Sequence, residues 1–384
     1  MSWLFIEPQD VWLFRDGRPF DAGVDHGARS LFPPTPNTVQ GIIRSRYLVE
    51  QDVDFQEYAD RDSTLQAVGE AIGWPKEGYG RLQLRGPLVA RWDEGNQTLV
   101  RYVPLPADVV KVGDDYRLLR PLKTPLMRTD WPAGGLLPLW VQRQGNNVPK
   151  EARGWLSEKA LPDYLADSPP ANLTVEHDDA LFVREGRFGV RIASHHKRPE
   201  EGFLYQVEFI RPRSNVGLVV ELNGIPLAPS GLLRMGGESR AGRFWTVTPS
   251  ALPGQTIPGP DTDGRTRFRL IFLTPARFEG GWQPQGGDWS AFFDAPVTLK
   301  AAALPRARPI GGARVDKHSQ RGGNFQKVMH RYVPSGSVYF FEAEGAVTPC
   351  KPYFTDDDAE GQIGFGLAIF GQWNYERLER KEKE

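Results

Sequence analysis

Trp3-Leu4-Phe5-Ile6 and Val11-Trp12-Leu13-Phe14 open the chain as two apolar runs of strand length, and Phe32-Pro33-Pro34-Thr35-Pro36-Asn37 then leads into Val39, Ile42, Ile43 and Tyr47 at helical spacing. The two runs lack the i, i+3, i+4 pattern of a helix and predict a bent, buried strand. Asp16-Gly17 predicts a turn, because glycine tolerates positive φ, and Arg15 and Arg18 place two cations at its tip. The prolines keep the chain extended to about Asn37, where a helix begins. Asn37 with Gln40 three residues on resembles a capping box. Asn37, Gln40 and Arg44 form the stripe opposite the apolar face. Near a helix N-terminus, unpaired N–H groups and the dipole favour an anion, and Gly41 would admit a ligand backbone, so the stripe suits a phosphate. The plainer reading is a capped, solvated helix face.

The rest of the composition narrows the class. A chain of 384 residues has room for two or three domains. Hydrophobic residues make up 40% and charged residues 25%, and no apolar run approaches the roughly 20 residues that span a bilayer. A secretory signal is absent from the start, so the cytoplasm is the expected location. The single cysteine, Cys350, excludes an intramolecular disulfide and a cysteine-based zinc cluster. Net charge is −1, which argues against unaided, nonspecific nucleic-acid binding, but the charge is segregated. Residues 305–332 carry seven Arg or Lys against Asp316, whereas 50–62 carry six acids against Arg61, and 342–360 carry six against Lys351. Such blocks fit a subunit that meets RNA on one side and proteins on another, and also fit ordinary solvated surface.

Leu65, Val68 and Ile72 predict a second helix that stops at Gly73. Residues 81–122 read as short strands, with a hairpin turn at Val112-Gly113-Asp114-Asp115, and 123–172 as irregular. We take about 85–172 as an insertion. Strand signals return at 173–175, 181–183, 188–192, 204–210 and 217–222, with turns expected at Glu185-Gly186 and Asn223-Gly224. His195-His196-Lys197-Arg198 reads as a cationic stop, and Pro229–Arg234 as a short helix. This order predicts an α+β fold with an antiparallel βαββαβ sheet of ferredoxin-like type. The Pro- and Gly-rich segment 249–260 is the expected linker, giving domains 1–252 and 253–384. Strands are expected at Thr266–Thr274, Val338–Phe341 and Phe365–Trp373, and the charged tail after Glu376 is expected to fray.

Two glycine-rich segments can carry chemistry. In Gly361–Gly371, glycines at 361, 364, 366 and 371 would let successive N–H groups line an anion-binding concavity, although no Lys-Ser or Lys-Thr pair makes it a P-loop, and a tight hairpin is the plainer reading. Arg234, Arg240 and Arg243 flank Gly236-Gly237 and offer forks matched to phosphate. The six histidines show no metal-ligand spacing. His26 could act as a general acid or base in RNA cleavage, since imidazole titrates near neutrality, or simply hydrogen-bond. Asp356-Asp357-Asp358 could hold Mg²⁺ or form a solvated loop. The tryptophans read as core and interface anchors.

Phe14-Arg15-Asp16-Gly17-Arg18-Pro19-Phe20, His26, Leu31-Phe32-Pro33-Pro34, Thr38-Val39-Gln40-Gly41 and Arg44 resemble the start of the third-subunit family of the type III-B CRISPR (Cmr) effector complex, within the RAMP superfamily. The Arg234–Arg243 loop, Arg331–Phe341 and Gly361–Gly371 resemble the same family in the later half, and residues 50–172 resemble it little. The resemblance implies two ferredoxin-like (RRM/RAMP-type) domains with long insertions. It implies a non-catalytic subunit that needs no cofactor, holds the 5′ handle of the crRNA, docks the large polymerase-like subunit and a backbone RAMP subunit, and meets target RNA indirectly. RNA contacts are then expected at Arg15, Arg18, His26, Asn37, Gln40, Arg44, Arg234, Gly236, Gly237, Arg240, Lys317, Arg321, Gly364, Phe365 and Gly366. The competing expectations are a metal-independent RAMP-type endoribonuclease acting through His26, and a carbohydrate-binding module, which lacks a secretory signal to support it.

Overall fold

Alternation along the first strand decides how the molecule is layered: in β1 (Ser2–Pro8), Leu4 and Ile6 enter one core and Phe5 enters another. The computed structural model describes residues 1–16, 27–123, 135–142, 145–167, 173–192, 199–312 and 328–376. Three helices follow β1: α1 (Pro36–Glu50), α2 (Phe55–Asp60) and α3 (Gln66–Ile72). Next come β2 (Gln83–Asp93), β3 (Thr98–Pro104), β4 (Trp155–Ser157), α4 (Leu161–Leu165) and β5 (Val175–Glu176). A long hairpin, β6 (Phe182–Ile192) and β7 (Pro199–Pro212), precedes β8 (Val216–Asn223), β9 (Ser230–Arg234) and β10 (Ala241–Val247). The later part holds β11 (Arg265–Phe272), β12 (Val297–Ala303), β13 (Arg308–Ile310), β14 (His330–Tyr332), β15 (Val338–Glu344), α5 (Asp358–Gln362) and β16 (Ala368–Gln372).

Two sheets organise these elements. The larger has eight strands in the order β5-β4-β3-β2-β8-β1-β10-β9, and the smaller has four, β12-β15-β11-β16. In the first, β1 lies between β8 and β10, with β2 beyond β8; in the second, β11 lies between β15 and β16, with β12 beyond β15. All of these neighbours run antiparallel. The fold is therefore mixed α+β, dominated by antiparallel sheets with few helices, as the strand and helix signals predict.

Three cores follow from the pleat. Leu4, Ile6, Leu218 and Val220 face α1, whose Val39, Ile42, Ile43 and Tyr47 are all buried. On the other face of the same strands, Phe5, Leu88 and Val219 pack with Ile271, Phe340 and Trp373 of the smaller sheet. The outer face of that sheet buries Phe268 and Phe341 under Trp289, Phe292 and Phe293. The larger sheet is thus covered on both faces, so its central strands read as continuous apolar runs. A buried charge cluster ties the smaller sheet to the turn after β3 and to α4: Arg269 of β11 donates to Asp108 at 2.8 Å and to the Tyr164 carbonyl of α4. The Tyr164 hydroxyl donates to the second Asp108 oxygen at 2.8 Å. Burial pushes the Asp108 carboxyl up, and Arg269 pulls it back.

Several expectations need correction. Residues 85–104 belong to the central sheet, because β2 pairs with β8 and β3 with β2, so the insertion is shorter than 85–172. Where a short helix is expected at Pro229–Arg234, Ser230–Arg234 forms the strand β9, set by pairing with β10 rather than by local helical preference. Glu185 and Gly186 sit within β6 opposite Phe209 and Glu208, not at a turn. Val11–Phe14 is buried, but it forms no named strand: among the described residues its β-pairing is the bridge from Trp12 to Ile210. The turn at Gly113 and the stop at Gly73 occur as read, each with positive φ. Residues 248–264 contain no helix or strand, yet Leu252 lies in the core between the sheets and the Gly254 carbonyl accepts from Phe370 N at 2.7 Å. His195–Arg198 and the tail beyond Glu376 lie outside the described residues.

Candidate nucleic-acid interface

Two residues of the α1 stripe, Gln40 and Arg44, have partners within the chain. Proline's fixed φ suits the first helical turn, so the helix begins at Pro36 and its cap is Thr35, without a side-chain bond. Gln40 is buried and its amide donates to the Asn37 carbonyl at 3.0 Å, inside the helix. Arg44 donates to the Gly73 carbonyl at 3.0 Å and to the Tyr58 hydroxyl, and lies over the rings of Tyr58 and Tyr79. The stripe therefore joins α1 to the α2–α3 segment. The capping box expected at Asn37 and Gln40 is therefore not formed.

The glycine-rich segment near the C-terminus is also engaged internally. Gly364 N donates to Gly361 O, Phe365 N to Glu360 O and Gly366 N to Pro275 O. Phe365 is fully buried with Ile310, Tyr332 and Ile363, against Tyr79. A Cβ at Gly364 would stand 2.4 Å from the carbonyl of Gly86, and one at Gly366 would stand 2.5 Å from that of Phe354. Gln362 donates to the carbonyls of Gly80 and Leu82, both at 2.8 Å. The N–H groups of Gly364 and Phe365 close the turn on itself and that of Gly366 binds Pro275, while Gln362 docks the loop on the first half of the chain. Nearby, Asp357 caps α5, Asp358 pairs with Lys351, and Asp356 accepts from Glu279 N. Burial pushes the Glu360 carboxyl up, opposed by the Tyr332 hydroxyl and Arg277.

The arginine loop lies elsewhere, at the root of the β6–β7 hairpin. Gly237 N donates to the Leu13 carbonyl at 2.8 Å, and Gly236, at φ 70°, allows that approach: a Cβ there would stand 2.3 Å from the same oxygen. Arg240 pairs with Glu238 at 3.1 Å and lies 4.9 Å over the Phe209 ring of β7. Arg187 of β6 lies 4.8 Å over that ring. Glu185 binds Arg187 and Arg211 at 2.6 and 2.7 Å, and their hydrogen bonds hold its carboxyl below the usual range. Arg234 and Arg15 are exposed, the latter bridging Ser30. Arg243 pairs with Glu7.

A second basic region joins both halves. Arg184 of β6 bonds Glu208 at 2.7 Å and the Ser30 carbonyl at 3.0 Å. Its charge reaches Arg308 of β13, whose pKa is lowered by desolvation first and by Arg184 second. Among the described residues, Arg308 has no carboxylate partner. Arg306 and Arg331 are exposed beside it in sequence and sheet. Arg18, His26, Lys317 and Arg321 lie outside the described residues.

The hairpin arginines Arg184, Arg187 and Arg211 escaped sequence reading. Their signal was present as charges alternating through long strands, together with apolar residues that stay exposed, Phe188 above all at 72%. A shallow cavity of about 500 Å³ opens elsewhere, between β2, β3 and β4. Arg91 and Lys159 face Asp93, Glu94 and Glu176 there, so neither sign of charge dominates.

A family model described as CRISPR-associated protein (Cas_Cmr3) matches residues 4–373. Among solved structures, the chain is similar to one from the cryo-EM structure of the type III-B Cmr-beta bound to cognate target RNA, at 13% identity and TM-score 0.48, over 88% of this chain and 86% of that one. A second, bound to cognate target RNA and AMPPnP, gives 14% identity and TM-score 0.46 over 95% of each chain. A third, from the Csm3-Csm4 subcomplex of the type III-A CRISPR-Cas interference complex, gives 11% identity and TM-score 0.38, over 92% of this chain and all of that one. No curated protein matches the chain.

Proposed function

Because the chain belongs to the Cas_Cmr3 family of CRISPR-associated proteins, we propose that it is a non-catalytic, RNA-binding subunit of a type III-B effector complex. In this reading it holds the 5′ handle of the crRNA, docks the large polymerase-like subunit and a backbone RAMP subunit, and meets target RNA indirectly, in the cytoplasm. No helix among the described residues is long and apolar enough to cross a membrane. The shared strand order of the two sheets supports two ferredoxin-like units meeting near residue 252, with α1 covering the first and α5 the remnant helix of the second.

The observation that carries the reading is the run of arginines along the β6–β7 hairpin, Arg184 on Glu208 and the Ser30 carbonyl and Arg187 and Arg211 on Glu185, with the exposed Arg308 of the other half within electrostatic reach of Arg184. Guanidiniums of like charge are stabilised by a phosphate near them, and single-stranded RNA supplies a row of phosphates. The exposed Phe188 of the hairpin offers an apolar surface on which an unstacked base can rest. Gly236, Gly237, Arg234, Arg240 and Arg15 border the same hairpin and remain in the proposed site, as do Arg18, His26, Lys317 and Arg321. Gly364, Phe365 and Gly366 support it from behind rather than by touching RNA.

Binding of handle-bearing RNA by the assembled complex, measured across a salt series, tests this. Arg184→Ala with Arg308→Ala should weaken binding and reduce the log–log salt slope by about 0.7 for each phosphate contact removed. An unchanged affinity and slope, with the melting temperature intact, would remove this seam from the RNA path.

A further inference from the structure

Asp10, in the turn after β1, faces three arginines from two other segments. Arg211 Nη1 donates to it at 2.8 Å, while Arg240 and Arg187 stand at 3.7 and 3.8 Å. Each arginine already has a nearer acid: Glu185 for Arg187 and Arg211, Glu238 for Arg240. Asp10 is thus the shared, second anion at the centre of the group. Its side chain is half exposed, so the centre opens to solvent. The surroundings are built rather than incidental. Phe209, 2% exposed, carries the guanidiniums of Arg187 and Arg240 against its ring, which fixes both heads where they are. The Nε of Arg240 is buried and has no hydrogen-bond partner among the described residues.

Resting on the RNA-binding reading above, we propose that Arg187, Arg211 and Arg240 form a phosphodiester subsite, and that Asp10 occupies it as an internal phosphate mimic when RNA is absent. Three fixed forks around one carboxylate match the geometry of a phosphate with two free oxygens. Arg187 and Arg240 reach Asp10 only loosely, and a phosphate, with more acceptor positions than a carboxylate, can satisfy all three. The chain's near-neutral charge gives this device a purpose: the arginines stay paired until a strand positioned elsewhere on the protein delivers a phosphate to them. RNA then displaces Asp10 toward solvent, and the subsite resists random nucleic acid.

The test compares wild type and Asp10→Asn, full length, binding a labelled, mixed-sequence single-stranded RNA by anisotropy across a salt series. Asn keeps the shape and removes the charge. Affinity should rise on the order of tenfold, the worth of one charge-assisted contact, with the log–log slope steeper by about 0.7. Adding Arg211→Ala should return both to the wild-type values, and inorganic phosphate should compete better against Asp10→Asn than against wild type. Asp10→Ala serves if the Asn variant fails to fold. Wild-type RNA binding with no gain in either Asp10 variant, or a gain that survives Arg211→Ala, overturns the mimic and leaves the RNA-binding reading standing. Absence of RNA binding by both proteins, alone and in the complex, overturns that reading first.

Discussion

Gly364→Val and Gly366→Val should each lower the melting temperature by roughly 5–10 °C and reduce the yield of soluble protein, before any effect on RNA is measured. Gly364 sits at φ 107° and Gly366 at φ 69°, where a β-branched residue costs about 1–3 kcal/mol of backbone strain. The steric term is larger. The new Cβ would meet backbone, the carbonyl of Gly86 in one case and that of Phe354 in the other, and neither can swing aside as a side chain would. The segment around Gly364 carries Phe365 into a buried cluster and Gln362 onto the carbonyls of Gly80 and Leu82, so displacing it opens the seam between the two halves. Gly259→Ala is the matched control, since nothing lies within 4 Å of its added Cβ. Thermal melts of the three variants check this. A Gly364→Val protein that melts with wild type and loses only RNA would restore the anion-loop reading.

That prediction sides with the tight turn over the anion loop that the family resemblance implies, and the reason is general. Glycines mark close backbone approach, but the sequence does not say whether the approaching group is a ligand or another part of the chain. Here Gly86, nearly 280 residues away, is the neighbour. Arg44 misled in the same way: its place on a half-buried helix stripe was legible, while its partners Tyr58 and Gly73 depend on how α2 and α3 fold back. Helix α1 itself was readable because Val39, Ile42, Ile43 and Tyr47 repeat at its period and one face is buried. The strands around β2 were harder, since Leu88, Val89 and Ala90 are buried on both faces and leave no alternation to detect. The hairpin arginines were present as letters. Their convergence on Asp10 is a matter of register, set by the pairing of β6 with β7 and by the glycine turn at Gly236.

Arg269→Met should cost about 3–5 kcal/mol, because it strands Asp108 in the core between the sheets. Arg269, Asp108 and Tyr164 are 1%, 0% and 2% exposed, and the arginine supplies the only positive charge that touches that carboxylate among the described residues. Arg269 also packs 4.3 Å over the Tyr164 ring and bonds that residue's carbonyl, so one side chain holds β11, the turn at Asp108 and α4 together. Met keeps much of the volume, which isolates the charge effect from a cavity effect. Without Arg269, Asp108 has a folded pKa raised further above its unfolded value near 3.9. The native state then holds a proton that the unfolded state has released, so stability is greatest below the unfolded pKa and falls as pH rises through the folded one. The variant should therefore lose more stability at pH 8 than at pH 5. Wild type, with the pair intact, should change less over that window. Replacing both charges, Arg269→Met with Asp108→Leu, should recover part of the loss and abolish the added pH dependence: the apolar pair has no desolvation cost, while the buried Tyr164 hydroxyl loses its acceptor. Urea midpoints for wild type, both single variants and the double variant at the two pH values give the coupling directly. A single Arg269→Met variant that unfolds at the wild-type midpoint, or shows the wild-type pH dependence, would mean that the cluster is an incidental contact and not the latch that holds β11 to α4 and the turn at Asp108.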